Sequence, residues 1–74
     1  MRTLREIASD IYDDWEKVNY AAEPYLDAMS DLESVNDSYF QDSGRSVVRY
    51  FLANASTWKG DVAKQIKKEL KGML

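Results

Sequence analysis

Val62, Ala63, Ile66, Leu70 and Met73 recur at spacings of one, three and four. That spacing lays them along one stripe of an α-helix. Lys64, Lys67, Lys68 and Lys71 share the opposite side. A segment divided this cleanly has a dry face that other helices must cover and a wet face that needs no cover. No other stretch constrains the chain as strongly as this one, Asn54 to Leu74. Asn54-Ala55-Ser56-Thr57 interrupts the preceding pattern, because short polar side chains compete for nearby backbone groups. Ser56 or Thr57 can then cap a new helix. Asp61 near its first turn and the lysines in its last two turns suit the helix dipole, and Gly72 supplies a stop. Trp58 is expected to fold back onto the apolar stripe.

The chain has few other means of holding itself together. It has 74 residues and neither Cys nor His. A chain of this size buries only about 60% of its unfolded surface, so its stability is marginal. Without Cys there is no disulfide and no thiolate metal site. Without His the commonest general base and metal ligand is missing. Helix packing, nine aromatic side chains or self-association must supply the stability.

The remaining segments continue the helical pattern. Thr3 and Glu6 form a capping box that opens a first helix over about 4–17. Its apolar face holds Leu4, Ile7, Ala8, Ile11, Tyr12, Trp15 and Val18, and its acidic face holds Glu6, Asp10, Asp13, Asp14 and Glu16. Asn19 ends or caps an element. Pro24 is welcome only in a first turn, which sets a short second helix over about 22–32. Ala22, Tyr25, Ala28, Met29 and Leu32 are its buried side, and Leu26 falls off that stripe toward a second neighbour. Ser34 to Ser43 reads as an irregular loop anchored by Tyr39 and Phe40. Asp42 or Ser43 caps a third helix over about 44–55. Val47, Val48, Phe51, Leu52 and Ala55 give it a broad apolar arc, so it is expected to be the central one. The fourth helix covers about 58–72. The predicted fold is all-α: one domain, 1–74, forming a compact bundle of four helices, three long and the second short.

Charge divides along the chain. Residues 1–42 hold eleven acidic and three basic side chains, and residues 43–74 hold two acidic and seven basic. The halves therefore carry −8 and +5 within a net charge of −3. Either the halves attract each other inside the fold, the favoured reading, or the asymmetry marks interaction surfaces. The candidate acidic face is Glu6, Asp10, Asp13 and Asp14, which could imitate phosphates or dock a basic partner. The candidate basic face is Lys64, Lys67, Lys68 and Lys71, which could meet phosphate or an acidic partner. The plain reading of both is a solvated helix face. Arg45 and Arg49, four apart, are expected to pair with acids of the first two helices.

Motifs for chemistry are missing. Nucleophilic schemes lack a base beside Ser or Thr, and the acids lie on wet helix faces. Asp31-x-Glu33-x-Val35 fails as a calcium loop, because Val35 takes a ligand position and no Gly follows at the bend. Gly44, Gly60 and Gly72 are isolated and build no phosphate cradle. No enzyme, no catalytic or metal site and no cofactor is expected. A lysine-only face can touch a nucleic-acid backbone but lacks the Arg or Asn that reads base edges. No apolar run approaches the roughly 18 residues of a membrane span, and no secretory h-region opens the chain. Without export, the glycosylation sequons at Asn36 and Asn54 read as chance.

Pro24-Tyr25-Leu26-Asp27-Ala28-Met29, Tyr50 to Gly60 and the Ile66-Lys67-Lys68-Glu69-Leu70-Lys71 ending resemble small, uncharacterised bacteriophage and prophage-type proteins. The resemblance covers nearly the whole chain and carries no functional residues. It implies a short accessory protein in the cytoplasm of a bacterial host cell. In the turn it includes, Thr57 would cap, Trp58 would plug the core and Gly60 would allow close packing. The expected function is a non-enzymatic protein-interaction module acting on an unidentified, host-type protein. The alternatives are a weak nucleic-acid binder using the last helix and a structural homo-oligomer. No membrane role is expected.

Overall fold

The computed structural model describes residues 2–74. In chain order the elements are α1 (Leu4–Asp14), α2 (Glu23–Ser30), β1 (Ser38–Tyr39), β2 (Asp42–Ser43), α3 (Gly44–Ala53) and α4 (Asp61–Gly72). The helices have 11, 8, 10 and 12 residues, each shorter than its sequence pattern predicts. The small antiparallel hairpin β1–β2 is an addition to the predicted all-helical set.

α1 begins where its capping box places it. The Glu6 amide donates to the Thr3 hydroxyl at 3.1 Å, and the Thr3 amide donates to Glu6 Oε1 at 3.0 Å. Two more first-turn amides find partners at long range: Leu4 donates to the Glu33 carbonyl and Arg5 to the Leu32 carbonyl. The segment after α2 is thereby tied to the start of α1. Leu4, Ile7, Ala8 and Ile11 are buried along one stripe. The helix stops at Asp14 instead of Lys17, with Trp15 extended at φ −92° and ψ 90°. Its last turn carries Asp13 and Asp14 and no cation. Carboxylates oppose the negative end of the helix dipole, and Glu16 would add a third. Beyond it, Asn19 accepts from the Ala21 amide and donates to the Asn54 carbonyl, which fixes the α1–α2 link against the end of α3.

α2 carries Pro24 in its first turn. Its buried side chains, Leu26, Ala28 and Met29 with Ala22 and Leu32 beside them, span a wide arc. At 100° per residue, Leu26 and Ala28 point about 160° apart. The helix therefore packs against α1 on one flank and α3 on the other. This corrects the expectation that α3 is central. α3 buries Val47, Val48 and Phe51 along one stripe, and its outer side leaves Tyr50 53% exposed.

Between α2 and α3 the chain is ordered by short polar side chains. Asp37 Oδ2 accepts from the Glu33 and Ser34 amides at 3.1 Å, and Ser34 Oγ accepts from the Asn36 amide. Ser38 pairs with Ser43 and Tyr39 with Asp42. Tyr39 packs against the core as expected. Phe40 does not: it sits at the hairpin turn with φ 56° and is 88% exposed. The turn points its side chain outward, leaving only an edge contact with the Tyr39 ring. Ser43 caps α3 by accepting from the Ser46 amide. Gly44 is needed for close approach, since a Cβ there would lie 2.7 Å from the Ser34 carbonyl oxygen.

α4 begins at Asp61, three residues later than expected. Ser56 and Thr57 lie exposed in the turn, and the cap position is Gly60, at φ 112° and ψ 177°, with no side-chain cap. Close packing is not the role of Gly60, because nothing lies within 4 Å of where its Cβ would be. Its role is the backbone conformation, which only glycine adopts without strain. The turn drops Trp58 into the core at 2% exposure, as expected. Its ring stacks on Trp15, with centroids 5.7 Å apart, and meets the edge of Phe51 at 6.4 Å. Ala63, Ile66 and Leu70 are buried beneath α4, which packs against α1, whereas Val62 at the border of the stripe is 42% exposed. Gly72 is the last residue of the helix. None of the described helices is long and apolar enough to cross a membrane.

Candidate interaction surfaces

The acidic face predicted on α1 is largely occupied by the fold itself. Glu6 is held in the capping box, and the Thr3 amide and hydroxyl keep its carboxyl below the usual glutamate range. Asp10 pairs with Arg2. Asp14 Oδ2 accepts from the Trp58 indole N–H at 2.8 Å. Among the described residues only Asp13 of the four has no such bond. The sequence places these carboxylates on one side of the helix but does not show that capping, an arginine and an indole bond three of them at the surface.

Direct ion pairing between the charged halves is sparse. Among the described residues there are two ion pairs, and both belong to Arg2: one to Asp10 on α1 and one, at 2.7 Å, to Glu69 on α4. Glu69 and then Asp10 raise the Arg2 pKa further above its ordinary value. The described ion pair between the halves thus joins a base of the acidic half to an acid of the basic half. Arg45 donates to the Met73 and Leu74 carbonyls and to Asn36, not to an acid. With Arg2, the 33–36 segment and the end of α4, it lines a cleft of about 250 Å³. Both arginines there are spent on structure. Arg49 is exposed and makes no ion pair with a described residue.

On α4 the basic face stays open. Lys64, Lys68 and Lys71 are exposed without a hydrogen bond to a described residue, and Lys59 just before the helix joins them. Lys67 is the exception. Its Nζ donates to the Trp58 carbonyl at 2.6 Å and lies 5.8 Å from the Trp58 ring centroid. Burial, followed by the charges of Lys71 and Lys59, holds its pKa below the ordinary lysine range. Trp58, Lys59, Gly60, Ala63, Lys64 and Lys67 line a shallow groove of about 310 Å³.

The structure adds a surface that the sequence pattern does not reveal. Tyr20, Glu23, Pro24 and Asp27 line a second groove, also about 310 Å³, at the start of α2. Tyr20 is 89% exposed. The Tyr12 hydroxyl of α1 donates to Asp27. Burial, then that bond and the charges of Asp27 and Glu23, push the Tyr12 pKa up to about 12. The signal in the sequence is an aromatic residue, Tyr20, off every apolar stripe and beside two acids one helical turn apart. On the far flank of α2, Tyr25 stacks on Tyr50 of α3 at 5.3 Å.

Among the described residues no group of three or more carboxylates is placed to hold a metal ion. The chain matches no known protein family, no curated protein and no solved structure.

Proposed function

We propose that the chain is a non-enzymatic protein-interaction module that docks a cationic segment of a partner protein in the groove of Tyr20, Glu23, Pro24 and Asp27. One observation carries this reading: Tyr20 is 89% exposed beside two exposed carboxylates and a proline. Tyrosine and proline offer rigid apolar contact at low entropic cost, and tyrosine is enriched where proteins meet. A guanidinium or ammonium group lying over the Tyr20 ring would gain a cation–π contact, with Glu23 and Asp27 within reach to pair with it. Tyr12 steadies Asp27 from the side. The resemblance to small bacteriophage proteins makes a bacterial host protein the natural partner, and the acidic half of the chain would steer a basic segment toward the groove.

The test is fluorescence anisotropy with a labelled peptide of arginines spaced by glycines. Wild-type protein should bind it. Tyr20→Ala should weaken binding about tenfold, the size of a modest hot spot. E23Q with D27N should weaken it and flatten its salt dependence, and the side-chain amide that D27N introduces keeps an oxygen to accept from the Tyr12 hydroxyl. Equal binding by wild type and both variants would place the peptide elsewhere and defeat the proposal.

A further inference from the structure

We infer that the outer face of α4, with Lys59 before it, is a second binding surface and takes the phosphate backbone of nucleic acid without reading its sequence. Three observations lead there. Lys59, Lys64, Lys68 and Lys71 are exposed, and no carboxylate of a described residue lies within ion-pair distance of them. The fold also turns one acid of α4 away: Glu69 faces Arg2, with Oε1 2.7 Å from its guanidinium, and Asp61 at the helix start forms no ion pair with Lys59 or Lys64. Lys67, the one lysine drawn inward, is held by the Trp58 carbonyl at the edge of the groove shared with Lys59 and Lys64.

The chemistry of this face selects the class of partner. A protein interface needs a buried aromatic or apolar anchor among its charges. A membrane surface needs an apolar face that can sink into the headgroups. This lysine face has neither: Trp58 is 2% exposed, and Ala63, Ile66 and Leu70 point into the core. Cations without anchors gain binding energy chiefly by releasing counterions from a dense linear polyanion. From Lys64 to Lys71 the helix rises roughly 10 Å at 1.5 Å per residue. Duplex DNA presents one charge per roughly 1.7 Å, so that length faces several phosphates. Lysine is a point charge that holds phosphate and does not discriminate bases. The acidic groove lies on α2 and the lysine face on α4, with α1 packed against both. The two surfaces can therefore act independently, and this inference does not rest on the peptide-docking reading.

The experiment is anisotropy of the full chain with a labelled 20-base-pair duplex of mixed sequence across a salt series. Four lysines contacting phosphate imply a log–log slope near −3.6, so a rise from 50 to 200 mM salt should weaken binding roughly a hundredfold. K64Q with K68Q should reduce the slope by about two, because each lost phosphate contact removes about one. Both side chains are exposed, and circular dichroism of the variant should match wild type. E23Q with D27N should leave the slope unchanged. Absence of binding at 20 mM salt would overturn the inference. So would a slope that K64Q with K68Q leaves untouched, or equal binding to polyglutamate or to phosphatidylserine vesicles.

Discussion

At the scale of single residues, two glycines show how differently the same residue type can be required. Gly60 has open space around it but an inaccessible backbone conformation, at φ 112°. Gly44 has ordinary dihedrals but no room, with the Ser34 carbonyl oxygen 2.7 Å from a would-be Cβ. Gly60→Ala should cost about 1–3 kcal/mol through strain alone. Gly44→Ala should also destabilise, by pushing the 34–35 backbone off the start of α3. Gly72→Ala, in an ordinary helical position with nothing near it, should be neutral or gain up to about 1 kcal/mol. Urea unfolding of the three variants checks all of these signs. Tyr12 supplies a pH signature. Its folded pKa of about 12 lies above the ordinary 10, so the native state binds more protons than the unfolded chain between those values. That contribution is complete below pH 10 and is lost as the pH rises toward 12. Urea midpoints measured from pH 9 to 12 should fall more steeply for wild type than for Tyr12→Phe.

At the scale of elements, the starts of α1, α2 and α3 depend on local chemistry. The Thr3–Glu6 box, the Ser43 cap and the first-turn Pro24 are read correctly from a few neighbouring residues: the first two satisfy amides within one turn, and proline has no amide to satisfy there. Thr3→Ala and Ser43→Ala should each cost about 1 kcal/mol in thermal or urea unfolding. The end of α1 and the start of α4 each lie three residues from where periodicity puts them, because a contact distant in sequence acts there alongside the local chemistry. Trp15 must leave the helix and Trp58 must enter the core for the two rings to stack, and periodicity carries no information on that pairing. Phe40 departs from expectation for a related reason: no glycine or Asn-Gly pair announces the hairpin that turns it outward. The lysine face of α4 is legible, since a charged stripe follows directly from spacing. The Tyr20 groove is not, because it depends on how the 15–22 link lays one tyrosine beside the first turn of α2.

At the scale of the whole molecule, Trp15, Phe51 and Trp58 join α1, α3 and the approach to α4 in one aromatic cluster. Trp58→Ala should cost about 3–5 kcal/mol and melt all four helices together by circular dichroism. Arg2→Ala, despite spanning α1 and α4, should cost less than about 1 kcal/mol and lose its effect in high salt, because the Arg2 side chain is 38% exposed. The radius of gyration, 10.9 Å, is that of a compact chain. A chain of this length is expected near 11 Å when compact. The apolar stripes of α1, α3 and α4 meet in one buried core, while Tyr20 and Phe40 stay exposed. The exposed surface also carries charge of opposite sign on different helices. The most direct measurement is a ¹H–¹⁵N shift map of the protein titrated separately with the arginine peptide and with the DNA duplex. The peptide should move amides around Tyr20, Glu23 and Asp27, and the duplex should move those from Lys59 to Lys71. Shifts from both probes on one surface, or no shifts from the peptide, would contradict two independent binding faces.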